Sequence, residues 1–188
     1  MYKNVGKRTL DVFLASFALL ILWPLLVTLA FAIKVFDPGP IIFRQKRIGR
    51  NGEIFQFYKF RSMPVDTGDV SSDKLGEIKI TWVGRLIRRT NLDELPQLWN
   101  ILRGDMSIVG PRPPLVTQVE LVAMRKSNGA LHCRPGLTGL AQVSSFDGMT
   151  VAEKAEFDGI YASKVSFVID ISTILKTFLY LLKPPPKY

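Results

Sequence analysis

Apolar and polar positions divide the chain into one long apolar block followed by a series of short amphipathic patterns. Between Leu10 and Val35 the only charges are Asp11 and Lys34, one near each end. These 26 residues make a straight helix of roughly 39 Å, enough to cross a hydrocarbon core of about 30 Å. The run is too long for a signal peptide, and no small-residue cleavage site follows it before Asp37-Pro38-Gly39-Pro40. Pro24 in its middle removes a backbone N–H, frees the carbonyl of Leu20 and predicts a kink. Lys3, Lys7 and Arg8 precede the block, and Lys34, Arg44, Lys46, Arg47 and Arg50 follow it. Positive flanks mark the cytoplasmic side, and here both flanks are positive. The pattern therefore predicts a re-entrant helix, with arms of roughly 14 and 11 residues entering and leaving one leaflet. A kinked spanning helix is the alternative.

Beyond the Asp37–Pro40 turn, Ile41-Ile42-Phe43 and Ile54-Phe55-Gln56-Phe57-Tyr58 read as strands. The Gly49-Arg50-Asn51-Gly52 segment between them carries an Asn-Gly turn signal, which predicts a hairpin. Residues Val65 to Gly76 are polar and read as a loop. Leu95, Leu98, Trp99 and Leu102 fall on one helical face, with Trp99 expected in the core and Gly104 as the stop. Leu115–Lys126 reads as helix, and Arg134–Val143 as a turn into a short strand. Val151–Ala162 reads as a helix with an acidic face of Glu153, Glu156 and Asp158. In Ser166–Leu182, Phe167, Val168, Ile171, Ile174, Leu175, Phe178 and Leu179 form one stripe. That last helix, too short to span, is expected to pack on the domain or lie in the membrane interface until Pro184-Pro185-Pro186 ends it.

Composition sharpens this picture. The formal net charge is +9 over 188 residues, and residues 1–63 hold ten Lys/Arg against three Asp/Glu. Basic charge beside a long apolar run points to an anionic membrane surface rather than to nucleic acid, and no stacking motif interleaves the cations. Arg44 to Arg50 accordingly read as a solvated or lipid-facing basic face. One cysteine and one histidine exclude a disulfide framework and a Cys/His zinc cluster. Cys133 and His132 are neighbours in sequence, which seldom makes a catalytic dyad. Any metal should be a hard, oxygen-bound ion.

Candidate chemistry concentrates between Gly84 and Leu98. Arg85, Arg88 and Arg89 stand at i, i+3 and i+4 and can share a helical face. Asp93 and Glu94 precede Pro96, a residue tolerated in the first turn of a helix, so the pair is expected at a helix N-terminus. Cations, backbone donors and carboxylates together suit phosphate chemistry with a bridging divalent ion. Lys59 and Arg61 flank the buried-looking Phe60 and are candidates for substrate anions. Gly110-Pro111-Arg112-Pro113-Pro114 is a stiff extended loop that presents Arg112 at low entropic cost, as a phosphate clamp requires.

Several of these segments together resemble one family. They are the apolar segment with its central proline, Lys59-Phe60-Arg61-Ser62-Met63, Leu92-Asp93-Glu94-Leu95-Pro96-Gln97-Leu98, Gly104-Asp105-Met106-Ser107, Gly110-Pro111-Arg112-Pro113 and Arg134-Pro135-Gly136-Leu137-Thr138-Gly139. In this order, over nearly the whole chain, they resemble the bacterial sugar transferases, the small monotopic phosphoglycosyl transferases. The resemblance implies transfer of a sugar phosphate from a UDP-sugar to polyprenyl (undecaprenyl) phosphate, releasing UMP and forming a polyprenyl diphosphate sugar. This is the first membrane step of glycoconjugate synthesis (polysaccharide, O-antigen or capsule). It implies Asp93 as nucleophile, through a phosphosugar-aspartyl intermediate, with Mg²⁺ near Asp93. Glu94 either supports the metal or deprotonates the lipid phosphate, while Lys59, Arg88 and Arg112 hold phosphates.

Pattern and resemblance together give an α+β, mostly helical fold with a re-entrant helix kinked at Pro24, a small hairpin and amphipathic interfacial helices. Residues 1–36 would anchor a catalytic domain of residues 37–188 on phospholipid, at the cytoplasmic face of the inner membrane. Trp23 stands where the family often has serine, and Ser144-Ser145-Phe146-Asp147-Gly148-Met149 replaces an Asn-Gly-Arg type sequence. That loop is expected to tune which sugar is accepted. A metal-dependent lipid diphosphate phosphohydrolase and a non-catalytic membrane-surface adaptor are the rival readings.

Overall fold

The computed structural model describes residues 2–65, 80–144 and 148–181. Most of the loop expected over 65–76, the centre of the 144–149 loop and the terminal prolines lie outside those residues. Helix α1 (Lys7–Phe36) runs as one helical element with Pro24 inside it. Its 30 residues amount to roughly 45 Å. The hydroxyl of Thr28 donates to the Pro24 carbonyl at 2.9 Å. Only 11% of its most apolar window is buried, so α1 is not the core helix of a globule. It is long and apolar enough to cross a membrane.

One side of α1 is fastened to the rest of the chain along its length. Arg8 donates to the Ile101 and Leu102 carbonyls (2.6 and 2.8 Å), filling the open acceptors at the end of a short helix. Asp11 accepts from the Ser107 hydroxyl and the Ile108 N–H, both at 2.9 Å. Ala15 packs with Phe57, Leu98, Ile101 and Met106, and Leu29 and Ile33 pack with Phe60, Val83 and Ile87. Phe13, Phe17, Leu20, Val27 and Phe31, on the other side, are exposed.

The hairpin forms from β1 (Ile42–Ile48) and β2 (Ile54–Phe60), antiparallel, with Ile42 opposite Phe60 and Ile48 opposite Ile54. Asn51 and Gly52 both take positive φ, as their turn demands. Helix α2 (Trp82–Arg89) starts at Thr81, whose hydroxyl accepts the Gly84 N–H. Helix α3 (Gln97–Arg103) stops at Gly104 in the left-handed conformation. A parallel pair follows, β3 (Ser107–Val109) with β4 (Gly136–Thr138); β4 is the short strand expected within Arg134–Val143, whereas β3 and the pairing were not suggested by the sequence pattern. Three residues are too few to display alternation. Helix α4 (Val119–Ser127) begins later than expected, because Leu115 bridges to Arg47 and the Gln118 side chain accepts the Leu115 N–H. The strand expected within Arg134–Val143 ends at Thr138, and Leu140–Ser144 form the short helix α5.

Two helices complete the chain, α6 (Val151–Lys164) and α7 (Phe167–Leu181). A capping box of Thr150 and Glu153 opens α6. Thr150→Ala should lower stability by about 1 kcal/mol, read as a lower melting temperature, and unchanged melting would mean that this cap contributes nothing. Asp158 is not on an acidic outer face but fully buried. Helix α7 has its apolar stripe outward, as the second of its two expected arrangements requires: Asp170 and Thr173 are buried, while Phe167, Val168, Leu175, Phe178 and Leu179 are exposed. Tyr2, Lys7 and Tyr161 all direct polar hydrogens at the Asp170 carboxylate, at 2.6–2.8 Å. This ties α7 to the start of α1.

Candidate active site

The carboxylate pair is carried on a tight turn between two helices. Thr90 ends α2 by donating its hydroxyl to the Leu86 carbonyl (2.8 Å), and Asn91 then takes the left-handed conformation. Asp93 and Glu94 follow in the short 3₁₀ turn Leu92–Glu94. They stand one turn before α3 rather than in its first turn. The N–H groups of Leu98 and Trp99 reach the carbonyls of Leu95 and Pro96, so winding stays tight and α-helix begins only at Gln97.

Cations from separate segments close on this pair. Lys59, from β2, lies 2.7 Å from Glu94 Oε1 and 3.5 Å from Asp93 Oδ2. Asn100 fixes that strand: its amide donates to the Gln56 carbonyl (2.7 Å) and accepts the Tyr58 N–H (3.1 Å). Arg112 reaches Glu94 in a fork, Nη2 to Oε1 at 2.6 Å and Nη1 to Oε2 at 3.4 Å. Arg88 lies close enough to pull electrostatically on Asp93. The expected site residues Lys59, Arg88, Asp93, Glu94 and Arg112 are thus brought together. Arg85 and Arg89 are exposed.

Two expectations fail. Arg61 is buried, donates to the Asp37 carbonyl and pairs with its carboxylate at 3.1 Å, so it braces the chain after α1 instead of facing substrate. Trp99 is 56% exposed, and Gln97, Leu98, Asn100 and Ile101 take the buried positions of α3, so of the expected apolar face Leu98 is in the core and Trp99 is not. The face opposite α1 and the hairpin is left to Trp99.

The two acids differ electrostatically. Burial pushes the Asp93 carboxyl above the ordinary aspartate range, with Glu94 adding to the rise and Lys59, Arg88 and Arg112 opposing it. Burial would also raise Glu94, but Arg112 and Lys59, at hydrogen-bond distance, outweigh it and hold Glu94 well below the usual range. Glu94 is therefore a fixed anion gripped by two cations, whereas Asp93 is held loosely and is costly to ionise. Such a site can bind phosphates and offer an oxygen nucleophile to phosphorus.

Residues 2–184, nearly the whole chain including this turn, match the family described as bacterial sugar transferase. The chain belongs to the bacterial sugar transferases. It is similar to the UDP-glucose:undecaprenyl-phosphate glucose-1-phosphate transferase of Caulobacter vibrioides, at 40% identity over 98% of this chain and 73% of that protein. The galactosyl transferase CpsE of Streptococcus agalactiae serotype III is also 40% identical, over 95% of this chain. So is the exopolysaccharide production protein PSS of Rhizobium leguminosarum bv. phaseoli, over 92% of this chain and 93% of its own length. The chain spans 42% of the Streptococcus protein and 39% of an Escherichia coli relative.

In this bacterial sugar transferase no group of three or more His, Cys, Asp or Glu is gathered among the described residues. Magnesium needs no such group. One or two carboxylates suffice when water and substrate phosphates complete its shell. Asp93, whose contact with Lys59 is long, and its neighbour Glu94 offer that donor set. Sequence reasoning passed over Asn100 and Arg125 and placed Asp158 on an exposed acidic face, because these residue types in isolation look like surface residues.

Proposed function

We propose that the chain transfers a sugar phosphate from a UDP-sugar to polyprenyl (undecaprenyl) phosphate, as the first membrane step of bacterial glycan assembly. The carrying observation is the convergence of Lys59 and Arg112 on Glu94, beside a loosely held Asp93. An Asp93 oxygen attacks the sugar-bearing phosphorus, and the bond to UMP breaks with its electron pair leaving on UMP. An oxygen of the lipid phosphate then attacks the phosphosugar-aspartyl intermediate and frees Asp93. Lys59, Arg88 and Arg112 hold the phosphate oxygens and offset the repulsion between anions. Asp93, aided by Glu94, would hold Mg²⁺, which supplies further charge neutralisation at phosphorus. Of the two roles open to Glu94, support of the metal is favoured over deprotonation of the lipid phosphate, because so weak a base is poorly matched to taking a proton. The activity for which the Caulobacter relative is named supports the donor and acceptor classes.

The membrane reading is a monotopic seat on the cytoplasmic face of the inner membrane, with residues 1–36 anchoring a catalytic domain of residues 37–188. Three observations support it. Arg8 and Asp11 near one end of α1, and Leu29 and Ile33 near the other, bind the same folded unit. The outer sides of α1 and α7 are apolar and exposed, and all three tryptophans are exposed, as suits a bilayer boundary. Single cysteines at residues 3 and 126 should label from the same side of sealed vesicles. Labelling from opposite sides would mean that α1 spans.

The reaction is tested by incubating detergent-solubilised protein with UDP-sugars, polyprenyl phosphate and Mg²⁺. Release of UMP matched by lipid-linked sugar is expected. Donor alone should give one equivalent of UMP and a phosphosugar adduct on Asp93. Free sugar phosphate without lipid product would make the protein a hydrolase.

A further inference from the structure

The segment that presents Arg112 has an unusual way of staying in place. Pro111, Pro113 and Pro114 have no N–H to give, so the segment cannot be held as a strand is, by both donors and acceptors. It is held by its carbonyls. The Pro111 carbonyl accepts the Gly136 N–H (2.8 Å) and the Pro114 carbonyl accepts the Ile48 N–H (3.1 Å). The Pro113 carbonyl accepts from the Arg47 side chain (3.0 Å). The Arg112 carbonyl accepts from Arg125 Nη1 at 2.8 Å, a side chain only 4% exposed. The rest of the Arg125 guanidinium is spent on Asp158 of α6, with Nε at 2.8 Å and Nη2 at 2.6 Å from Oδ2. Asp158 is 1% exposed.

A buried ion pair of this kind is poor evidence for stability, since a well-packed apolar pair of the same volume often folds as well. An apolar pair could not donate to the Arg112 carbonyl. We propose that Arg125 and Asp158 are positioning residues. Asp158 orients the Arg125 fork, Arg125 fixes the backbone of Arg112, and the Arg112 guanidinium is thereby aimed at Glu94 and the substrate phosphate. Helices α4 and α6 thus act on the reaction through one backbone carbonyl. The proposal rests on the transferase reading, in which Arg112 faces the reacting phosphate.

The test is a double-mutant cycle on single-turnover UMP release, with enzyme in excess over UDP-sugar. Arg125→Met should slow release about ten- to a hundredfold, the scale of a small misplacement of a reacting group. In an Arg112→Ala background the same change should cost less than about twofold, because a residue acting through another has nothing left to lose. Arg125→Lys, which keeps a donor without the fork, should fall between Arg125→Met and wild type. If Arg125→Met fails to fold, as judged by thermal melting, Asp158→Asn and Arg125→Lys keep the volume and enter the same cycle. Equal losses in both backgrounds, or a folded Arg125→Met at the wild-type rate, overturn the proposal. Wild-type protein that releases no UMP would instead sink the transferase reading.

Discussion

Asp93→Asn is expected to reduce turnover to less than about a thousandth of wild type, the scale on which single nucleophile replacements act. It should leave no phosphosugar adduct when donor alone is added. Asparagine keeps the size of the side chain and its place on the Leu92–Glu94 turn, so the loss would belong to the chemistry rather than to the fold. Stability should move the other way. Burial raises the Asp93 carboxyl in the folded protein. A group raised in this way contributes favourably below the ordinary aspartate range and loses that contribution as pH climbs through its raised value. At neutral pH the ionised side chain therefore costs stability, and Asp93→Asn should melt at a higher temperature than wild type. Glu94 has the opposite sign. Its lowered value gives a contribution that is present above the ordinary glutamate range and fades only as pH falls through the lowered one. Glu94→Gln should melt lower at pH 7, since Lys59 and Arg112 lose the anion they share. Melting curves of both variants, run beside the adduct assay, separate the two acids. An active Asp93→Asn enzyme would remove the nucleophile assignment.

The acid pair was a candidate from two adjacent carboxylates before a proline with arginines nearby, a pattern an ordinary salt bridge also fits, and the resemblance of the whole motif set singled it out. The apolar block of α1 and the Asn-Gly turn were legible from the sequence directly: one local rule decided each. Hydrophobic periodicity, by contrast, tells which side of a helix is apolar and not what that side faces. The α7 stripe was read correctly, yet it points outward, with Asp170 and Thr173 inside. Trp99 was placed in the core by the same rule and is exposed. For a protein that sits against lipid, an apolar side and a buried side are different things. Buried ion pairs fail in the converse way. Asp158 and Arg125 look like solvated charges, and nothing within their own helices announces the partner 33 positions away. The three-residue strand β3 had no periodicity to read, and β4 was signalled by the turn before it rather than by alternation.

Lys59→Met should lower turnover at neutral pH about a hundredfold, the typical cost of removing one preorganised charge at a developing anion. It should also move the acid limb of the pH–rate profile to higher pH. Lys59 is the largest of the downward pulls on Asp93, ahead of Arg88 and Arg112. With it gone, burial and the neighbouring Glu94 charge act with less opposition, and the Asp93 carboxyl rises further. The nucleophile is the carboxylate, so activity lies above that value, and a raised value shifts the limb upward. Glu94 keeps Arg112 at 2.6 Å, which continues to favour its ionised form, and measuring the limb on UMP release with donor alone keeps the titration of the lipid phosphate out of the profile. Raising the pH should then recover the part of the loss that comes from protonation. The part that comes from lost charge at the phosphate should persist at every pH. Lys59→Arg separates these contributions: it keeps the positive charge and should leave the limb close to wild type, whatever its geometry does to the rate. If the limb of Lys59→Met coincides with that of wild type, the group titrating there is not Asp93, and the electrostatic division between the two acids does not govern the reaction.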